Sequence, residues 1–469
     1  MTMKSNNETS TGSKSGFNLT GSAVNPRKPS ERTLGPSGLV AIWFSMAVCI
    51  SLFVQSAQLY ESLKVYQIII ALFVAHTLLC VLMSFTQDLG IRYGIPFAVA
   101  LRTSFGYAGY IIPAFCRAIP GMFWFGFQTW LGADALNAIT QNVWGYSNLT
   151  LYLIILAILQ IAHTCLGIKA VTRLSKFASP LLLFVGIYLL YMMFSGSDLT
   201  FTSVLIMKGT GGGTFTLIGA ILMYIGGWAT LAVSISDITR ECKVDDANAD
   251  SWWKSTKKYI FAQWLGLVPA TVIFGTIGAV GVALTGEWNP IRIMINVIGP
   301  NNYVMLIICL VFVLLATWST NDTGNLYPSA YTVAAAWPAK ITFAKGVIIA
   351  GTIGMLMQPW RVADNLTNLT VAIGCMLAPV VGVMLTDYYI LRKRKINMDD
   401  LYNSNGQYKY WKNVNPAAII ACVVGVLVSI PFWNFVFFVG LVVAGVVYYI
   451  LMKVWILKKY PQLEIPMKD

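Results

Sequence analysis

The sequence is poor in charged residues, and this shortage excludes the usual soluble classes of protein. Only 11% of its 469 residues are Asp, Glu, Lys or Arg, whereas a soluble domain carries about 25%. Hydrophobic residues make up 57% of the chain, and the mean hydropathy is +0.67. An intrinsically disordered chain has the opposite composition, with low hydrophobicity and many charges. The chain must therefore be solvated mostly by lipid.

Catalytic and redox motifs are also missing. The only two histidines, His76 and His163, stand alone inside apolar segments, as hydrogen-bonded packing residues often do, and no metalloprotease, nucleophile-elbow or Walker pattern occurs. The eight cysteines contain no CxxC pair, so no disulfide framework is predicted. No repeated pore ring or selectivity filter is visible, which disfavours a channel. We therefore expect no enzyme activity and no cofactor, and a carrier driven by an ion gradient.

Long apolar segments fill most of the chain. Since a spanning helix needs roughly 20 residues, the length accommodates about twelve of them. We predict an all-α integral membrane protein with 12 transmembrane helices near 37–58, 66–87, 107–139, 149–168, 176–195, 214–236, 258–284, 301–328, 341–358, 365–390, 415–432 and 434–452.

The net charge of +13 is an orientation signal rather than a sign of nucleic-acid binding. With both termini on one side, nearly all of the 32 basic residues fall on that side; the exceptions are Lys64, Lys208, Arg292, Arg361 and, within a span, Arg117. The positive-inside rule then places both termini in the cytoplasm of a multi-pass protein of the plasma membrane.

The two ends of the chain are polar. Residues 1–34 are rich in Ser, Asn, Thr and Gly and have no apolar core, so we predict a disordered cytoplasmic tail rather than a signal peptide. Residues 461–469 are predicted to form a cytoplasmic C-terminal tail.

Three spans combine aromatic, amide and glycine residues near their middle. Trp124 and Gln128 are four residues apart and share a helix face. Trp228 follows the pair ending at Gly227, where a loosened helix can expose backbone groups, and Asn325 adds a second amide. An indole face beside an amide suits a flat heterocycle with N–H and C=O groups. Interrupted spans with polar midplane groups are typical of secondary transporters.

Several ordered motifs resemble the nucleobase–cation symport-1 family over nearly the whole chain after the N-terminal tail. They are Trp124-Phe125-Gly126-Phe127-Gln128-Thr129-Trp130-Leu131-Gly132, Gly226-Gly227-Trp228, Ala262-Gln263-Trp264-Leu265-Gly266, Gly286-Glu287-Trp288-Asn289-Pro290 and Leu315-Ala316-Thr317-Trp318-Ser319-Thr320-Asn321. The resemblance implies a LeuT-like fold with two inverted five-helix repeats. Helices 1–5 would lie in 35–196, helices 6–10 in 197–396 and helices 11–12 in 397–460.

The resemblance also implies a substrate site. Trp124 and Trp228 would sandwich a ring, Gln128 and Asn325 would bond its edge, and Gly227 would offer a backbone contact. Cys49 and Tyr224 complete the predicted substrate-binding set.

A sodium site is implied as well. The family pattern assigns it the backbone carbonyls of Ser45, Val48 and Ala316 and the hydroxyls of Ser319 and Thr320. Five oxygens suit a hard cation. The expected function is therefore sodium-coupled import of a small planar ring by a monomeric, alternating-access symporter.

Two positions depart from the family pattern and leave more than one interpretation open. Cys49 stands where an amide is expected, so allantoin, uracil, cytosine and hydantoin all remain candidate substrates. Asp322 is interpreted as a capped residue at a helix break, with proton coupling as the alternative to sodium, and Arg117 and Asp134 as structural charges.

The competing hypotheses for the function are a carrier for an amino acid or a vitamin such as thiamine, and a channel.

Overall fold

The computed structural model describes residues 19–195, 197–244, 251–298 and 302–465, and every extended regular element within these ranges is a helix. The main helices are α1 (Pro36–Ala47), α2 (Ile50–Leu59), α3 (Val65–Thr86), α4 (Ile111–Trp144), α5 (Leu149–Cys165), α6 (Ile168–Ser195), α7 (Leu217–Gly227), α8 (Ala229–Ser234), α9 (Trp252–Thr285), α10 (Tyr303–Thr320), α11 (Tyr327–Ala336), α12 (Phe343–Leu356), α13 (Leu366–Leu385), α14 (Pro416–Ser429) and α15 (Val436–Leu451).

Shorter helical turns connect or extend these helices. Single α-helical turns and short helices are Asp88–Tyr93, Phe97–Ala100, Arg102–Phe105, Phe201–Leu205, Ser236–Thr239, Pro290–Val297, Met398–Leu401 and Leu457–Lys459. The π-helical segments are Asn321–Leu326, Thr386–Leu391 and Met452–Ile456, and the 3₁₀ turns are Pro29–Glu31, Pro359–Asn365, Gln407–Lys409 and Ile430–Phe435.

Each predicted apolar segment coincides with a helix or with an interrupted helix, so the all-α prediction is confirmed. By length and hydropathy, the described residues contain six continuous stretches able to cross a membrane, or eight if each of two bent helix pairs is one span. Leu149–Cys165 and Phe343–Leu356 are apolar but shorter. The count of twelve crossings remains a prediction.

The two bent pairs place non-helical backbone in the middle of the bundle. The α1–α2 pair bends by 50° and the α7–α8 pair by 44°. At the first break Val48 and Cys49 leave helical geometry, with ψ values of 69° and 121°. At the second, Trp228 separates the helices directly after Gly227. Such breaks expose backbone groups, which a membrane interior tolerates only where protein or a cavity covers them.

Helix α9 holds both halves of the first bent pair. A side chain at Gly266 would stand 2.6 Å from the Val40 carbonyl oxygen on α1, and one at Gly278 would stand 2.3 Å from the Phe53 carbonyl oxygen on α2. Both distances are too short for a Cβ atom. The two glycines therefore allow α9 to pack directly on the backbone at both sides of the break.

One end of the bundle gathers the loops that were predicted to be cytoplasmic. Arg394, after α13, bonds Asp88 at the start of the short helix Asp88–Tyr93 at 2.8 Å, and Arg392 bonds Gln462. Residues 19–34 also pack here, although composition predicted a disordered tail to residue 34. Arg240 donates to the Ala23 and Asn25 carbonyls at 2.9 and 2.6 Å, which orders this segment. Residues 1–18 lie outside the described ranges.

Candidate substrate and cation sites

A cavity lies where the two helix breaks face α4 and the π-helical segment Asn321–Leu326. Between these elements lies about 500 Å³ of space free of protein atoms, part of it open to solvent. Six of the seven predicted substrate-binding residues line it, namely Cys49, Trp124, Gln128, Gly227, Trp228 and Asn325.

The two indoles of the cavity are held by other rings. Trp124 and Trp228 are only 7% and 8% exposed, so each keeps a small part of its surface open to the cavity. The His76 ring meets Trp228 edge-on at 5.5 Å, and Phe127 meets Trp124 edge-on at 5.8 Å. His76 itself bonds the Leu72 carbonyl at 2.7 Å, as expected for a packing histidine. The rings are therefore fixed before any ligand binds.

The two amides of the cavity are also oriented by the protein. Gln128 Nε2 lies 2.8 Å from Cys49 Sγ and 3.4 Å from Ser51 Oγ. Asn325 Nδ2 donates to Asn321 Oδ1 at 2.8 Å, and Asn321 Nδ2 in turn donates to Gln160 Oε1 on α5 at 2.8 Å. Within the described residues, Gln128 Oε1 is buried without a partner.

Tyr224 is a correction to the predicted site. Its side chain is completely buried away from the cavity, and its hydroxyl lies 2.8 Å from Ser56 Oγ on α2. Its ring packs against His76 at 5.8 Å. Tyr224 lies one helical turn before Trp228 and both rings contact His76, but only Trp228 reaches the cavity. Tyr224 therefore touches the indole only through the His76 ring.

Sequence reasoning missed several residues on the wall formed by α2. Ser51, Leu52 and Gln55 line the cavity. A sequence signal existed, because Ser51 and Gln55 are four residues apart in an otherwise apolar span and so share one helix face. Ser51 and Gln55 face the cavity because α2 starts as a new helix after the break at Cys49.

Four of the five predicted sodium-site residues come together between α1 and α10. Ser319 Oγ lies 3.1 Å from the Ser45 carbonyl oxygen and 3.2 Å from that of Ala316. Thr320 Oγ1 lies 3.2 Å from the carbonyl oxygen of Met46, a residue that was not predicted. Two hydroxyls therefore face main-chain oxygens across the interface of these helices.

Val48, the fifth predicted residue, is the last residue before the break. The amides of Leu52 and Phe53 both bond the Cys49 carbonyl, so the first turn of α2 does not use the Val48 carbonyl. Among the described residues no group of three or more His, Cys, Asp and Glu side chains gathers. A cation between α1 and α10 would be held by neutral oxygens, which suits a hard monovalent ion.

Asp322 pairs with helix α5. Its Oδ2 lies 2.5 Å from His163 Nδ1, and its Oδ1 accepts from Thr164 Oγ1 at 2.7 Å. The carboxylate is fully buried, whereas His163 is 22% exposed. The paired geometry agrees with the interpretation of Asp322 as a satisfied residue in the irregular turn of Asn321–Leu326.

Arg117 joins three elements at the rear of the cavity. It donates to Ser234 Oγ at 2.7 Å, to the Gly324 carbonyl at 2.9 Å and to Ser329 Oγ at 3.2 Å. It is fully buried, and it is the hydrogen-bonded structural charge that was predicted. Asp134, on the same helix, is partly buried and does not line the cavity.

Comparison with known proteins places these features in one family. Residues 26–456 match the model of the permeases for cytosine/purines, uracil, thiamine and allantoin. The hydantoin permease of Microbacterium maritypicum is 41% identical, over 93% of this chain and 89% of that protein. The allantoin permease of Bacillus subtilis (strain 168) is 29% identical, over 92% of each chain.

A solved structure shares the fold along nearly the full length. A nucleobase–cation-symport-1 family transporter in a closed conformation with bromovinylhydantoin bound superposes with a TM-score of 0.90, at 40% identity, covering 94% of this chain and 97% of that one. The inward-facing conformation of the same transporter gives 0.86, covering 95% and 96%. The predicted LeuT-like fold class is confirmed by this match.

Proposed function

Because the chain belongs to the family of permeases for cytosine, purines, uracil, thiamine and allantoin, we propose that it is a secondary active symporter importing a small planar heterocycle with sodium. The substrate class is that of nucleobases, allantoin and hydantoins. The 41% identical relative is a hydantoin permease and the 29% identical relative an allantoin permease, which supports this choice. No catalytic step is part of the proposal.

The observation that carries the proposal is the cavity between the two helix breaks. It presents two indole rings and two buried amides. Stacking on an aromatic ring is worth about 1–3 kcal/mol per base in nucleic-acid binders. The ring would lie between Trp124 and Trp228, with Gln128 and Asn325 at its polar edge. A site made of indoles and neutral amides suits an uncharged ring.

Coupling would arise because sodium and the ring stabilise the same arrangement of helices. The Ser319 and Thr320 hydroxyls of α10 face carbonyl oxygens of α1, and α1 leads directly to the cavity residue Cys49. The cation would be a transported co-substrate held by Ser45, Val48, Ala316, Ser319 and Thr320. If each ligand favours the same closed arrangement, each raises the affinity of the other to the same extent.

The remaining parts of the proposal concern placement in the cell. We infer a multi-pass monomer of the plasma membrane with twelve crossings, two inverted repeats at 35–196 and 197–396, and both termini in the cytoplasm. The gathering of the loops after even-numbered predicted spans at the end that holds Ala23 and Gln462 supports this orientation.

Uptake measurements test the function. Cells that express the chain should accumulate labelled hydantoin, allantoin or uracil saturably, and an inward sodium gradient should stimulate the uptake. A competition panel of these rings, cytosine, thiamine and amino acids identifies the substrate. Competition by thiamine or amino acids alone would contradict the ring assignment, and non-saturable flux would indicate a channel. Equal stimulation by a proton gradient without sodium would replace sodium by protons as the coupling ion.

A further inference from the structure

The polar side chains of the cavity differ in which of their atoms remain free. Gln128 directs its amide nitrogen toward Cys49 and Ser51, and its Oε1 has no partner in the described part of the chain. Asn325 directs its amide nitrogen to Asn321, and no described group donates to its Oδ1. Both side chains are at least nine-tenths buried. The cavity therefore offers two fixed hydrogen-bond acceptors.

Gln55 is the third amide of the cavity, and its position differs from that of the other two. It lies on α2, one turn after Ser51, and is only 5% exposed. Its Oε1 approaches the second helix break, 3.8 Å from the place where a Cβ of Gly227 would stand. No hydrogen bond from the described residues holds this amide. A buried amide without a partner is costly unless a ligand or water completes it.

Gln55 is the amide on the α1–α2 side of the cavity, where position 49 carries a thiol. The Cys49 thiol lies 2.6 Å from the Ser51 hydroxyl, and both lie near the Gln128 amide nitrogen, so this group is used within the protein. Among the described residues that line the α1–α2 side, Gln55 is the remaining free donor and acceptor.

We propose that Gln55 is a specificity-determining residue, which binds one polar edge of the ring while Gln128 Oε1 and Asn325 Oδ1 accept hydrogen bonds from two ring N–H groups. This inference rests on the proposed function and narrows its substrate class to uncharged cyclic amides or ureides with at least two free N–H groups and a carbonyl. A site built to bond a polar group strongly rejects the analogue that lacks it, because its own buried atoms are then left unpaired.

Ligand binding to the purified full-length chain tests the role of Gln55. Quenching of tryptophan fluorescence, in the presence of sodium, gives the affinities for hydantoin, allantoin and uracil. Gln55→Leu should weaken the tightest of these ligands tenfold or more, because the hydrogen bonds of one polar edge are lost. Gln58→Leu, on the same helix but outside the cavity lining, is the matched control and should bind within twofold of the wild type.

N-methylated rings test the two acceptors on the wild-type protein and need no variant. 1-Methylhydantoin, 3-methylhydantoin and the two N-methyluracils should each bind at least tenfold more weakly than the parent ring. Equal binding of the methylated and parent rings would overturn the donor requirement. Wild-type affinity in a monodisperse Gln55→Leu protein would overturn the role of Gln55. If the wild type binds none of the parent rings, the proposed function fails, and this inference fails with it.

Discussion

At the scale of single residues, the indoles and amides of the cavity could be identified in the sequence, but their surroundings could not. Trp124, Gln128, Trp228 and Asn325 attract notice because indoles and amides near the middle of apolar spans are unusual. Tyr224 attracts equal notice and is nevertheless buried behind the cavity, with its hydroxyl on Ser56. Which polar group faces the cavity depends on the rotation of each helix, and an apolar span gives few clues to it.

The indole of Trp124 should be essential for substrate binding. Trp124→Ala removes a stacking surface whose value in nucleic-acid binders is about 1–3 kcal/mol, so saturable ring uptake should fall about fivefold or more at subsaturating substrate. Membrane abundance, measured by immunoblot, should be unchanged. Trp144→Ala is a matched control, because Trp144 ends the same helix and is 73% exposed. Unchanged uptake by the Trp124 variant would refute the site.

At the scale of secondary-structure elements, irregular turns supply the functional groups. The π-helical segment Asn321–Leu326 carries Asn325 to the cavity and Asp322 to α5. The polar run in this span predicts a local irregularity, and the glycine pair predicts the break before Trp228. The break at Val48 and Cys49 contains neither glycine nor proline. The packing of α9 on both sides holds it, so only the folded chain shows it.

The pair of hydroxyls between α10 and α1 should be required for coupling. Ser319→Ala combined with Thr320→Ala removes two oxygens that face the carbonyls of α1, and the stimulation of ring uptake by sodium should disappear. Thr332→Ala is the control. Thr332 lies on α11, which continues the same span, and its hydroxyl has no hydrogen-bond partner among the described residues. Uptake that stays sodium-dependent in the double variant would contradict the proposed cation site.

Arg117 should be required for stability, because it joins α4, α8 and the segment around Gly324. Arg117→Ala leaves the acceptors at Ser234 and Gly324 without a donor in a buried site, and hydrogen bonds to charged groups contribute about 1.5–3 kcal/mol each. The melting temperature of the detergent-solubilised protein should fall by several degrees. Arg117→Lys should recover only part of the loss, because an ammonium cannot reproduce the geometry of the planar guanidinium. A lysine variant as stable as the wild type would argue against this role.

At the scale of the whole molecule, residues 19–34 cross the end of the bundle where Arg394 bonds Asp88 and Arg392 bonds Gln462. Leu34 N–H donates to the Glu241 carbonyl at 2.8 Å, and Arg27 pairs with the Glu241 side chain at 2.9 Å. Partial burial lowers the pKa of Arg27, but the charge and the hydrogen bond of Glu241 act in the opposite direction. The net result is a raised pKa of Arg27. Alternating access requires this end to open, so the segment must move or release its contacts during transport.

The contacts of Arg240 should stabilise residues 19–34 at this end of the bundle. Arg240→Ala removes donors to the carbonyls of Ala23 and Asn25 and a guanidinium that lies 5.2 Å from the Tyr331 ring centre. The melting temperature should fall by a few degrees, and limited proteolysis should cut residues 19–34 faster than in the wild type. Lys243→Ala, at an exposed position three residues later, should change neither. Unaltered proteolysis of the arginine variant would show that other contacts hold the segment.

The sequence by itself determined that the chain is solvated by lipid, where its apolar helices lie, and which indoles and amides could recognise a ring. These properties follow from composition and local spacing, because few charges and long apolar runs admit only helices in a bilayer. Only the tertiary structure decided that α1 breaks at Val48, that Gln55 faces the cavity, that Tyr224 does not, and that residues 19–34 are ordered. Helices that are apolar on all sides carry little periodic signal, and contacts between segments far apart in the chain set their rotation and their breaks.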